Sequence, residues 1–242
     1  MAFFLNNMVS LEYQNSISPE QGEKAFQKLL DTLNTEFILI VDGAISIKDN
    51  GLYNVVANYK GKIITGMEAV KMTAEKAKYI IAVGTCASYG GISAASPNEA
   101  ECRSLKQFLQ ESGIGKQVII LPGCPGNPDW IIGTIANLIE FGVPELDDEG
   151  RPIVFYGTTI HDNCERRSYF DKGIFAEKLD DKECMFKLGC KGPITKVDCP
   201  IRRWNDTDNW PVGNNTPCIG CAQKGFAKGI EPFIRLSDIK KN

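Results

Sequence analysis

The residues with chemistry to offer are soft ligands crowded toward one end of the chain. Between His161 and Cys221 the sequence reads H-D-N-C (161–164), C-M-F-K-L-G-C (184–190), D-C-P (198–200) and C-I-G-C (218–221). This segment holds six of the nine cysteines and the only histidine. Thiolates at short spacings, in Gly- and Pro-rich sequence without a strong helical or strand period, suit soft metals and iron–sulfur clusters. An odd cysteine count argues against a simple disulfide framework. An isolated His is ordinarily a surface or core residue. Here His161 stands three positions before Cys164, a spacing that a turn can wrap onto one ligand, and further thiols follow. A structural zinc protein is the rival chemistry, since C-I-G-C and H-D-N-C could furnish a tetrahedral site. Seven ligands in three separated groups suit two zinc ions poorly.

The preceding residues supply the frame. Residues 1–144 alternate strand-like and helix-like segments. Ser18–Leu33 carries Ala25, Phe26, Leu29, Leu30 and Leu33 at helical spacing, with Ser18 as the cap and Pro19 in the first turn. Phe37–Val41, Tyr79–Val83 and Val118–Leu121 are strand-length apolar runs, and Met8–Tyr13 is a shorter one. Met67–Ala77, Glu99–Ser112 and Asp129–Phe141 read as helices. Such alternation predicts a doubly wound parallel sheet. The pattern stops around Pro144–Pro152, which divides the chain into an α/β domain over 1–148 and a loop-rich domain over 149–242.

That frame gives two more cysteines a meaning. Open parallel sheets gather ligands beyond the carboxyl ends of their strands. Cys86 and Cys124 each follow an apolar strand, each behind a Gly where backbone can come close to a bulky ligand. Either alone could be a small buried hydrophobe; a matched pair reads as ligands. The zinc alternative leaves these G-T-C and P-G-C loops unexplained. Cys102 lies within a helical pattern and reads as structural or as a spare thiol.

Composition excludes other classes. The net charge is −3 and the pI near 5.4, which gives no electrostatic footprint for nucleic acid or an acidic membrane surface. Apolar runs are far shorter than a membrane span, and no export signal is visible. There is no nucleophile–base–acid set and no G-x-x-x-x-G-K-[ST] phosphate loop.

The blocks G-T-C-A-S-Y-G-G-I (84–92), L-P-G-C-P-G-N-P-D-W (121–130), F-Y-G-T-T-I-H-D-N-C-E-R-R (155–167), L-G-C-K-G-P (188–193) and P-C-I-G-C (217–221) resemble the small subunit of nickel-iron hydrogenases. The resemblance runs from about Val9 to Phe226. It implies a flavodoxin-like sheet followed by an iron–sulfur domain. The implied function is an electron relay between the active site of a nickel-iron large subunit and an external carrier such as a cytochrome or ferredoxin. By that resemblance His161, Cys164, Cys184 and Cys190 bind a distal 4Fe-4S cluster. Cys199, Cys218 and Cys221 bind a medial cluster, expected as 3Fe-4S because Pro211 stands where some members have a fourth Cys and offers no donor. Cys86 and Cys124 become two of four ligands of a proximal 4Fe-4S cluster. Gly189, Gly192, Pro193, Gly213 and Gly220 fit tight loops with amides aimed at sulfur. Arg166, Arg167, Arg202 and Arg203 either serve the cluster environment or are solvated surface.

The chain also departs from the family pattern. The family's first strand and its C-x-x-C loop supply the other proximal ligands, yet no cysteine precedes Cys86. The expectation is an N-terminally truncated copy whose sheet lacks its first strand, so that two buried strands lose partners. A relay defunct for want of a proximal cluster is the alternative. The resemblance further implies an anaerobic setting and a place at the cell envelope, peripheral to the cytoplasmic membrane; the cytoplasm is the alternative.

Overall fold

The structure is a computed structural model that describes residues 8–14, 16 and 18–227. Helix α1 (Gly22–Thr32) buries Phe26 and Leu29. It starts later than the Ser18 cap predicts, because the Ser18 hydroxyl accepts the Gln14 N–H at 2.9 Å and Gly22 has a positive φ. β1 (Ile38–Asp42) and the short β2 (Ile45–Ser46) follow. An unanticipated antiparallel hairpin comes next, β3 (Val55–Tyr59) and β4 (Lys62–Thr65). Its two-residue turn is Lys60-Gly61, both at positive φ, the geometry that suits strand twist. Thr65 and Glu68 form a reciprocal capping box that starts α2 (Gly66–Lys76). β5 (Tyr79–Val83) runs straight into α3 (Gly84–Tyr89).

The helix expected over 99–112 is shorter. Cys102 lies on a strand, β6 (Cys102–Arg103), that pairs with β2, and only Leu105–Glu111 forms the helix α4. The cause is local. Glu101 has φ +49°, and the Asn98 side chain grips Cys102 through both its N–H (2.7 Å) and its carbonyl (3.0 Å). Ser104 then caps α4 by accepting the Gln107 N–H. β7 (Ile119–Leu121) leads to α5 (Pro128–Glu140), which Asn127 caps with Pro at the first turn.

β1, β5 and β7 form one parallel sheet in that order, with Ile38 opposite Tyr79 and Ile81 opposite Ile119. The three strands are contiguous: β5 is paired on both sides, while β1 and β7 each have one partner among the described residues. The outer side of β1 is an edge, with Ile40 43% exposed. Residues 8–13 form no strand, although Val9 packs on the core. Side chains of the sheet alternate between two cores, as the pleat requires. Ile80, Ala82 and Ile120 face Ala74, Leu105, Phe108 and Leu109. Ile81, Val83, Ile119 and Leu121 face Trp130 and Leu138 together with Phe155, Tyr156, Met185, Val197 and Val212. This second core runs unbroken from the sheet into the loop-rich segment, and Tyr156 reinforces it by donating to the Pro122 carbonyl at 2.9 Å.

Candidate metal centres

The loop-rich segment gathers its candidate ligand side chains into two groups. In the first, His161, Cys164, Cys184 and Cys190 line one small cavity with Ile160, Arg166, Met185, Gly192 and Val212. A single 3₁₀ turn (His161–Asn163) carries His161 and delivers Cys164 directly after it. A second (Met185–Leu188) separates Cys184 from Cys190, and left-handed Gly189 (φ +88°) reverses the chain. Gly192 lets the chain pack closely: a Cβ there would sit 3.3 Å from Ile160 and 3.5 Å from the Cys190 sulfur.

One polar atom of this cavity stands out. His161 Nε2 is buried without a hydrogen bond. Its ring meets Phe170 edge-on at 4.4 Å, and Phe170 meets Phe175 and Phe186 in an aromatic wall. Burial, then the Arg167 charge, lowers the His161 pKa and favours the neutral, ligating imidazole. The Cys164 sulfur accepts the Arg166 N–H at 3.4 Å, and the Cys190 sulfur accepts the Cys218 N–H at 3.4 Å. Arg166 is buried, not solvated. It donates to the carbonyls of Asp181 (2.7 Å) and Glu183 (2.9 Å) and to the Asn215 side chain. Arg167 and Arg203 are the surface arginines, paired with Asp171 and Asp208.

The second group is Cys199, Cys218 and Cys221. Cys199 opens the short helix Cys199–Arg202, and Cys199 and Cys218 are both buried. Gly220, at φ +74°, lets the loop fold back so that its N–H reaches the Cys218 sulfur at 3.4 Å. Burial raises the Cys199 thiol far above its ordinary range and pushes Cys218 up to about 12. A cation bound to them would supply what burial withholds, because ligating sulfur is thiolate. Trp204 lies beside the Cys199 thiol with its Nε1 buried. Asp198 fixes the loop from below: Oδ1 accepts the Trp130 indole N–H and Oδ2 accepts Arg202 Nε, both at 2.8 Å. Pro211 lies at the surface, offers no side-chain donor and heads a turn whose carbonyl accepts the Thr216 N–H at 3.0 Å.

Cys86 and Cys124 form the third set, at the carboxyl ends of β5 and β7. Cys86 is half-buried in the first turn of α3, and Cys124 is exposed. Thr85 locks the two loops together: its N–H donates to the Gly123 carbonyl and its hydroxyl accepts the Gly123 N–H, both at 2.9 Å. Chain packs closely over Cys86; a Cβ on Gly91 would lie 2.8 Å from its sulfur. All nine cysteines are free. Among the described residues no three His, Cys, Asp or Glu side chains stand close enough to hold a single metal ion. Sequence reasoning missed Thr85, Asp198 and Trp204, because nothing in G-T-C, D-C-P or R-R-W marks them apart from ordinary turn residues.

A family model for the C-terminal region of NiFe/NiFeSe hydrogenase small subunits matches residues 156–234, and that of "NADH ubiquinone oxidoreductase, 20 Kd subunit" matches residues 1–138. The periplasmic NiFeSe hydrogenase small subunit of Desulfomicrobium baculatum is 39% identical over 95% of this chain and 77% of its own length. This chain belongs to the nickel-iron hydrogenase small-subunit family. The Hydrogenase-2 small chain of Escherichia coli K12 is 40% identical over 95% of this chain and 63% of its own. Among solved structures, a reduced, active form of the NiFeSe hydrogenase from Desulfomicrobium baculatum superposes with a TM-score of 0.91 at 37% identity. That match covers 96% of this small subunit and 88% of the solved chain. The α/β fold with its parallel sheet is therefore that of hydrogenase small subunits.

Proposed function

We propose that this small subunit relays electrons between a hydrogen-activating large subunit and an external carrier such as a cytochrome or ferredoxin. Convergence of His161, Cys164, Cys184 and Cys190 on one cavity carries the proposal. An imidazole and three thiols drawn from residues 161–190 meet there, and His161 Nε2 has no protein partner. Those four residues would hold a distal 4Fe-4S cluster, and Cys199, Cys218 and Cys221 a medial 3Fe-4S cluster. Cys86 and Cys124 would supply two ligands of a proximal 4Fe-4S cluster. Bound there, such clusters accept and release single electrons. The chain's own task is to hold them in order and to dress their sulfurs: the amides of Arg166, Cys218 and Gly220 already point at three thiols.

The order of the three groups supports a path. The Cys218 N–H joins the second group to the Cys190 sulfur of the first, and the Cys221 carbonyl joins it to Thr85 beside Cys86. No helix among the described residues is long and apolar enough to cross a membrane. A place at the cell envelope, peripheral to the membrane, follows the periplasmic relatives. The test is His161→Ala in complex purified anaerobically with its large subunit. Loss of the distal cluster's spectroscopic signal, with the medial signal retained, is expected. Retention of a native distal signal would refute the assignment.

A further inference from the structure

Thr85 touches all three cysteine-bearing segments that meet at the sheet's carboxyl edge. It precedes Cys86, exchanges two backbone-directed hydrogen bonds with Gly123 just before Cys124, and donates its hydroxyl proton to the carbonyl of Cys221, 136 residues along the chain. Only 2% of its surface is exposed. A buried Thr needs one partner for its hydroxyl; this one accepts from one ligand loop and donates to another. Few side chains share that task. Gly84 and Gly123 flank the contact with no side chains, and a Cβ on Gly123 would lie 2.7 Å from the Pro125 carbonyl. One further contact joins the same loops, the Cys124 N–H that faces the Cys221 thiol.

We propose that Thr85 is the positioning residue that sets the separation between the strand-end cysteines and Cys221. It thereby sets the gap an electron crosses between a centre held at Cys86 and Cys124 and one held at Cys199, Cys218 and Cys221. The inference rests on the relay function proposed above. Thr85→Val keeps the shape and removes the hydroxyl, leaving the Gly123 N–H and the Cys221 carbonyl buried and unpaired. Thr85→Ser keeps the hydroxyl and both bonds.

The experiment uses the anaerobically purified heterodimer. It reads amide hydrogen exchange over residues 84–90 and 121–125, the magnetic interaction between the two neighbouring centres, and the rate of electron transfer between them. T85V is expected to exchange faster in both segments, to show an altered magnetic interaction and to transfer electrons about 10-fold more slowly, the usual scale for loss of a supporting contact around a metal site. The signal of the His161 centre stays native. T85S restores all three readouts. Native exchange, interaction and rate in T85V would overturn the proposal. If T85V does not assemble, T85S decides: native behaviour supports the hydroxyl, and a comparable loss despite an intact hydroxyl overturns it. Absence of iron–sulfur signals in the unaltered complex would instead refute the relay function itself.

Discussion

Trp130→Phe tests how the cysteine-bearing loops are tied to the α/β frame. Trp130 on α5 is wholly buried and donates its indole N–H to Asp198 Oδ1 at 2.8 Å, next to Cys199. Its ring packs against Tyr156 and Trp204 at 5.4 and 5.6 Å. Phenylalanine keeps an aromatic ring but loses the donor and some volume. A hydrogen bond to a charged group contributes about 1.5–3 kcal/mol, and the shortened ring leaves a void that costs about 1 kcal/mol more. Roughly 3 kcal/mol in a chain of this size lowers the thermal midpoint by about 6–12 °C. The pH dependence has a definite sign. Burial holds the Asp198 pKa above its ordinary value despite Trp130 and Arg202. The folded state therefore keeps a proton that the unfolded chain has released, and stability falls as pH rises from about 3.9 through the raised folded value. Removing the donor extends that fall, so the gap between variant and parent widens with rising pH and narrows below about 3.9. Calorimetry of the anaerobic complex between pH 4 and 8, with iron counted before and after, reads both effects. A variant within about 0.5 kcal/mol of the parent at every pH, with its iron intact, would refute the reasoning.

Other substitutions probe separate parts of the structure. Arg166→Met leaves the carbonyls of Asp181 and Glu183 without their donor, and should cost about 2 kcal/mol; it also removes a buried positive charge from the His161 cavity, so titration should find that cluster's reduction potential shifted negative. Asp147→Asn leaves Arg151, whose side chain is 5% exposed, without its 2.7 Å partner, at a cost of about 2 kcal/mol after allowance for solvent at Asp147. Although burial opposes it, Arg151 holds the Asp147 pKa below its usual value. That contribution is complete above about 3.9 and fades as pH falls through the lower folded value, so parent and D147N should converge only in strong acid, as denaturation curves would show. Pro211→Cys adds a thiol at the turn beside Trp210 and Val212. It should convert the medial signal from a three-iron to a four-iron type in electron paramagnetic resonance, and an unchanged signal would count against Pro211 as the fourth position.

Much of this was legible because the signals were local. Tyr79–Val83 is a strand over the run that its apolar residues define, since a central parallel strand is buried on both faces. The candidate ligands stood out by residue type and spacing, their grouping came from the family resemblance, and His161, Cys164, Cys184 and Cys190 do line one cavity. The errors were where a side chain overrides the backbone pattern. Asn98 seizes Cys102 and Ser18 binds back to Gln14; neither act leaves a trace in helical periodicity. The Lys60-Gly61 hairpin carries a turn signal, but its strands Val55–Tyr59 and Lys62–Thr65 alternate too weakly to announce themselves. The contacts that tie the groups together, Thr85 to Cys221 and Trp130 to Asp198, span 136 and 68 residues and have no sequence signature.

The most direct test of the central claim is a count of iron, sulfide and zinc per small subunit in heterodimer purified anaerobically. The relay predicts about eleven irons with sulfide in similar amount, and about seven would mean that the centre at Cys86 and Cys124 is absent and the path broken. One or two zinc ions per chain with little iron or sulfide would contradict it.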